Sequence, residues 1–396
     1  MEPQTTTQST IQPAFSLKKL KGIKPKGVKV KEDNIPSLLA TLGGKAVFEF
    51  MNSDLVIKRR NPFTNSIIEQ GIPFTNSKNF YNELYDQTDE FFGDIEYNQE
   101  DLSKAIEILH NINKCDPVEK DKHYLRDFFE SNLESFCNGM YTAFLVDKLT
   151  EINREKGKNT KIRINGGGKR FDFLFACARN IDELIIENFK GNCIGAYIGD
   201  VINFANKITI TGCEGNDIGS GIGSVDSLII INNFGNRIAS NLSRKTGNLN
   251  SALIAHNFGF GMAYQIQGNH FSGLCGGLGA NLVMVANNSI PYDEYRKNSK
   301  QDYIICQDMQ YIDILFCYGN NAVLDDQVAA RDSVQEIITD EDIAKHYFDS
   351  KFNPAKNIKN RYKIKQILEE INSNRIKDLQ ETLRVYERAR ELNNSK

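Results

Sequence analysis

From residue 160 onward the apolar residues alternate with others over short runs, and each run ends in a cluster of Gly and Asn. Four stretches align without gaps: LIIENFKGNCIGAYI (184–198), ITITGCEGNDIGSGI (208–222), LIIINNFGNRIASNL (228–242) and ALIAHNFGFGMAYQI (252–266). Counting each first residue as zero, position seven is Gly191, Gly215, Gly235 and Gly259. Position ten is Ile194, Ile218, Ile238 and Met262, and position eleven is always Gly or Ala. Weaker copies begin at 162, 282 and 312, giving seven starts spaced by 22, 24, 20, 24, 30 and 30 residues.

An interval this short, filled with Ile, Gly and Asn, holds a β-branched strand, a Gly-Asn turn, a second short strand and another turn, with no room for a helix. Units of this size stack into a β-solenoid, each coil covering the next one's apolar interior. Glycine at position seven fits a corner with positive φ, where a Cβ is penalised. Asn192, Asn216 and Asn236, with Asn188, Asn232, Asn233, Asn257 and Asn320 nearby, predict side-chain amides stacking from coil to coil at the turns. The glycines are therefore structural. Gly219, Gly221 and Ser224 break the dinucleotide pattern, and GGGKR (166–170) lacks the full P-loop form.

The segment Ile218-Gly219-Ser220-Gly221-Ile222, with Ile194-Gly195 one coil earlier, resembles the GXGXG repeat. That repeat builds the C-terminal β-helix of glutamate synthase large subunits and also occurs in formylmethanofuran dehydrogenase. The resemblance covers residues 160–320 and implies a right-handed solenoid acting as spacer and interface. It carries over no catalytic residue, and this chain lacks the glutaminase and flavin-binding parts of glutamate synthase.

Strand side chains alternate between faces. If positions zero and two point inward, as Ile162/Ile164, Ile208/Ile210 and Leu228/Ile230 suggest, positions one and three point outward. Early coils place Arg163, Asn165, Thr209 and Thr211 there; later ones place Ile229, Ile231, Leu253, Ala255, Val283 and Val285. A face this apolar needs a cover. Helical spacing at 101–112, 118–155 and 361–393 supplies candidates, the last as a long helix or helical hairpin that docks on the body or self-associates. Residues 45–60 read as a hairpin, 334–348 as a helix, and the doubled PFTNS at 62–66 and 73–77 as two similar loops. The division is then a disordered basic tail (1–31), a mixed α/β region packing on the solenoid (32–158), the solenoid (159–330) and C-terminal helices (331–396).

Charge is uneven. The net −3 comprises +6 in residues 1–31, +6 in residues 351–396 and −15 between them. Lys18, Lys19, Lys21, Lys24 and Lys26 could contact anions, but no aromatic residue lies among them to stack on bases. Eight cysteines without a C-x-x-C pair predict reduced thiols and a cytoplasmic setting. Five scattered histidines predict no metal site, no cofactor is indicated, and no apolar run is long enough for a membrane span.

Catalytic β-helices need carboxylates and basic groups converging on one exterior sheet. Here Arg163, Glu187, Asp313, Asp325 and Asp326 are dispersed, and His256 occupies a turn position. His270, beside Asn269 in an irregular 30-residue interval, is the best single catalytic candidate. The expected function is an intracellular scaffold or complex subunit that binds protein partners through the solenoid. A β-helix enzyme with a site near His270 and a nucleic-acid-associated protein are the alternatives.

Overall fold

A computed structural model of the chain describes residues 34–52, 77–93, 95–111, 133–199, 205–242, 249–259, 262–263, 280–288, 304–305, 312–318, 320, 323–324, 334–339 and 379–394. Among these residues four helices come first: α1 Ile35–Met51, α2 Ser77–Phe92, α3 Gln99–His110 and α4 Leu133–Glu155. Strands follow: β1 Lys161–Asn165, β2 Ile181–Glu187, β3 Ala205–Thr211, β4 Val225–Ile231, β5 Leu249–Ala255 and β6 Ala280–Ala286. Then come β7 Ile304–Ile305, β8 Ile312–Tyr318, β9 Val323–Leu324 and β10 Val334–Thr339, and finally α5 Leu379–Asn394. One parallel sheet runs in the order β1-β2-β3-β4-β5-β6-β8-β10, while β7 and β9 pair separately.

The fold is mainly β with flanking helices, and the parallel sheet is one wall of a β-solenoid. The opposite side closes through single bridges joining Arg170, Lys190, Glu214, Phe234 and Phe258 in succession. These bridges define about four turns, which corrects the expectation of about seven coils of 20–30 residues. The expected second strand is corrected as well. After each bridge, alternate residues are left-handed: Cys193, Gly195 and Tyr197, then Asp217, Gly219 and Gly221, then Arg237, Ala239 and Asn241. Their amides bond across coils in both directions, Gly219 N–H to the Ile194 carbonyl and Gly221 N–H to the Ser240 carbonyl, each at 2.8 Å. Left-handed geometry costs about 1 kcal/mol at each non-glycine residue. The inter-coil bonds offset that cost by giving the amides of the ribbon their partners.

Register supplies a third correction. Val283 pairs with Ala252, and Leu315 with Val283, so position zero is 283 and 315 rather than 282 and 312. A one-residue slip exchanges the two faces of a strand. Val283 and Val285 therefore join Leu184, Ile208, Leu228 and Ile254 in the solenoid interior, and Leu282, Met284 and Ala286 face outward.

The helices depart from expectation in two places. Residues 45–51 belong to α1 rather than a hairpin, because Leu39, Val47 and Phe50 recur at helical spacing and are buried. Residues 334–339 form β10 rather than the start of a helix, in register with β8. α2 follows from Tyr81, Leu84, Thr88 and Phe92, which lie on one buried side. α3 opens with a capping box in which Asn98 and Asp101 satisfy each other's backbone amides. The remaining parts of 45–60, 118–155, 334–348 and 361–393, and the PFTNS repeats up to residue 76, lie outside the described residues.

Candidate interaction surface

The outer face of the sheet is set by register. One row along the stack is Arg163, Ile185, Thr209, Ile229, Leu253 and Met284. The row two residues on is Asn165, Glu187, Thr211, Ile231, Ala255 and Ala286. Both rows change from largely polar to apolar between β3 and β4. The polar half is laced by ion pairs from coil to coil, Arg163 to Glu187 at 2.8 Å and Lys161 to Glu183 at 3.1 Å. Such exposed pairs contribute little to stability.

The apolar half is covered by α5. Val385, Tyr386 and Ala389 bury against Ile229, Ile231, Leu253, Leu282 and Met284, with Leu379 and Leu383 packed alongside. The helix is also fixed by polar contacts. The Tyr386 hydroxyl donates to Ser251 Oγ at 2.9 Å and lies 3.4 Å from Ser227 Oγ. Arg390 pairs with Asp226, and Thr382 Oγ1 lies 3.0 Å from His256 Nε2. His256 sits at a left-handed corner with φ of 55°, level with Asn188, Asn232 and Asn287, so it is a turn residue with a hydrogen-bond partner.

Two ladders hold the corners. Gly191, Gly215, Gly235 and Gly259 have φ of 147°, 152°, 150° and 151°. A Cβ on Gly215 would lie 1.8 Å from the Gly191 carbonyl oxygen, and one on Gly235 would lie 1.7 Å from that of Gly215. Each glycine thus admits the backbone of the preceding coil. Beside them, Asn192 Oδ1 accepts from Asn216 N–H at 2.9 Å, and Asn216 Oδ1 from Asn236 N–H at 3.1 Å. A second, buried ladder runs Asn233, Asn257, Asn288 and Asn320. From Asn257 on, each Oδ1 accepts the backbone N–H and side-chain amide of the preceding rung at 3.0–3.1 Å. These amides satisfy one another, so polar groups sit in the core without a desolvation penalty left open.

At the first coil, helix α4 stands in for a preceding turn. Thr142 Oγ1 accepts from Phe175 N–H at 2.9 Å. The Asp147 carboxylate, fully buried, accepts from the Tyr81 hydroxyl at 2.5 Å and from the Arg179 and Asn180 backbone amides at 2.8 and 2.9 Å. Burial lifts the Asp147 carboxyl to about 7, against the lowering effect of those donors. The Arg179 guanidinium lies 4.1 Å from the Tyr81 ring centroid. The sequence gives little warning of this node, because Asp147 recruits backbone amides that carry no residue identity.

The solenoid rim carries one of the two large apolar side chains exposed among the described residues, the other being Phe48 on α1. Phe234 is 53% exposed and stacks on Phe258, with ring centroids 5.1 Å apart and planes 13° from parallel. The preceding rungs of that rim are Lys190 and Glu214, paired at 2.8 Å. Reading the sequence for core and catalytic residues misses this rim; its signal is the Phe at position six in two successive copies.

His270, Asp325, Asp326 and the lysines 18, 19, 21, 24 and 26 lie outside the described residues. Among the described residues no group of three or more His, Cys, Asp and Glu could hold a metal ion, and no helix is long and apolar enough to cross a membrane. Cys137, Cys177, Cys193 and Cys213 are buried, and none of the four is in a disulfide. Compared with known proteins, the chain matches no family model, no curated protein and no solved structure.

Proposed function

We propose that this chain is a non-catalytic scaffold or complex subunit whose solenoid surface binds another protein. The observation that carries the reading is the exposed Phe234, stacked on the half-buried Phe258, on the same rim as the Lys190–Glu214 ion pair. Aromatic anchors beside polar rim groups are the composition of interface hot spots. A rigid stacked coil also holds those side chains in place before binding, which lowers the ordering cost of association.

The test is affinity purification from native cells, with and without nuclease, comparing the wild-type chain with Phe234→Glu. Expected is a stoichiometric protein partner that survives nuclease and is lost from the variant. Recovery of the wild-type chain alone would overturn the reading in favour of an enzyme, to be screened with sugars and anions for a site around His270. A partner lost on nuclease treatment, with retention falling steeply as salt rises, would shift it to nucleic-acid association through the basic ends.

A further inference from the structure

The face under α5 is a helix-receiving site in its own right. It forms a hydrophobic cluster separate from the solenoid interior: the outward side chains of β4–β6 pack with α5, while the inward ones pack with one another. The residues that α5 covers are the outward ones, Ile229, Ile231, Leu253, Ala255, Leu282, Met284 and Ala286, with Asp226, Ser227, Ser251 and His256 at its polar contacts; the inward core and the asparagine ladders do not depend on it. An open face of that composition calls for an occupant.

Its polar fittings say what kind. Ser227 and Ser251 present hydroxyls to one tyrosine, and Asp226 presents a carboxylate to one cation four residues further along the same helix. These read an amphipathic helix with an aliphatic residue, Tyr, a small residue and Arg at i, i+1, i+4 and i+5. Val385, Tyr386, Ala389 and Arg390 provide that pattern within the chain. The opposite side of α5 is charged and exposed at Arg384, Arg388 and Glu391, so among the described residues the helix buries one stripe.

We propose that α5 is an intramolecular occupant of a helix-docking groove, and that an amphipathic helix of a protein partner carrying the same pattern exchanges for it. This rests on reading the chain as a protein-binding scaffold and adds a second contact to the rim at Phe234. Docking of an amphipathic helix by its apolar stripe is an established recognition mode. An occupant on the same chain competes at high effective concentration, so only helices matching the Tyr and Arg fittings displace it.

A fluorescein-labelled synthetic peptide of residues 379–394 is the probe, titrated against the full-length chain. The double variant Tyr386→Ala, Ala389→Asp weakens the resident helix and is expected to bind the peptide at least about tenfold more tightly than wild type, because apparent affinity scales with the fraction of open face. Adding Leu253→Asp should abolish that binding. A double variant that binds no more tightly than wild type would overturn the proposal. Hydrogen exchange on the wild-type chain gives a second readout that needs no variant. Amides of α5 should exchange ahead of those in β2–β5, and exchange in one step with them would overturn the proposal. No cellular partner enters either measurement, so their failure would remove the groove and leave the Phe234 contact to be judged by its own capture experiment.

Discussion

The two halves of the outer sheet face share one backbone and one register, yet they have opposite fates. On β1–β3 the outward positions are Arg163, Asn165, Ile185, Glu187, Thr209 and Thr211, exposed or half-buried and polar but for Ile185. On β4–β6 the same rows hold Ile229, Leu253, Ile231 and Met284, all buried under α5. The inward rows do not change, remaining aliphatic and fully buried along both halves. A solenoid thus separates two tasks in a period of two: even positions build the stack, and odd positions decide what each coil meets.

The largest effect should come from the frame that both halves share. Gly235→Ala sets a Cβ 1.7 Å from the Gly215 carbonyl oxygen at φ of 150°. Neither strain nor repacking can relieve that clash without parting two coils, at a cost of about 4 kcal/mol or more. Urea unfolding followed by circular dichroism should show loss of the cooperative transition. Gly167→Ala, where φ is 55° and the space is open, is the control and should cost only about 1 kcal/mol.

Next comes the contrast between the halves. Thr209, Ile229 and Leu253 occupy one row. Leu253→Asp buries an unpaired carboxylate and expels α5, which should cost about 3 kcal/mol or more. Thr209→Asp makes the same charge on the uncovered half and should stay within about 0.5 kcal/mol. Equal losses in the two variants would mean that the halves are not differently covered.

What can be read from sequence divides along the same line. Inward positions such as Ile208 and Ile210 are legible because a strict period of two fits a strand and little else, and the apolar outward residues Ile229, Ile231 and Leu253 correctly demand a cover. Which helix supplies it is not legible, since Ser227 and Ser251 reach Tyr386 across more than a hundred residues. Register fails at Val283, where the 30-residue interval removes the ungapped alignment that fixes the earlier coils. Pairing Asn287-Asn288 with His256-Asn257 restores it. The helix Ser77–Phe92 escapes the apolar pattern because its stripe is carried by tyrosines and a threonine as much as by aliphatic residues. β10 reads as a helix because VQEIIT is short enough to suit either element, and its partner strand decides.

At the capped end, Asp147 gives a prediction in pH. Its carboxyl is raised by burial from 3.8 to about 7, so the native state holds the proton more tightly than the unfolded chain. The stabilising contribution is therefore fully present below pH ~4, and it is lost as pH rises through about 7. Tyr81, Tyr85, Tyr97, Glu151 and Arg179 are the ionisable groups coupled to the carboxylate or placed around it. Melting temperature measured from pH 4.5 to 8 should fall for wild type relative to Asp147→Asn, whose amide cannot ionise. Curves that run parallel would mean that the hydrogen bonds from Tyr81, Arg179 and Asn180 outweigh burial.

A smaller effect tests how α5 is held. Tyr386→Phe keeps the ring among Leu253, Leu282 and Met284 but removes the hydroxyl from Ser251 and Ser227. The expected loss is about 1 kcal/mol, the net contribution of one buried hydrogen bond. It should appear as earlier exchange of α5 amides, with those of β2–β5 unchanged. Faster exchange throughout would place α5 inside the cooperative unit of the solenoid.

The smallest effect belongs to the uncovered half. Arg163 and Glu187 pair at 2.8 Å across β1 and β2, but the arginine side chain is 62% exposed and water competes for both groups. Arg163→Gln should change stability by less than about 0.5 kcal/mol, and raising salt should remove even that difference. A loss above about 1 kcal/mol that persists in high salt would show that this edge of the sheet is held by more than the capping helices and the parallel ladder. The polar half would then be a structural surface in its own right, and the division between a building side and a meeting side would have to be redrawn at β1.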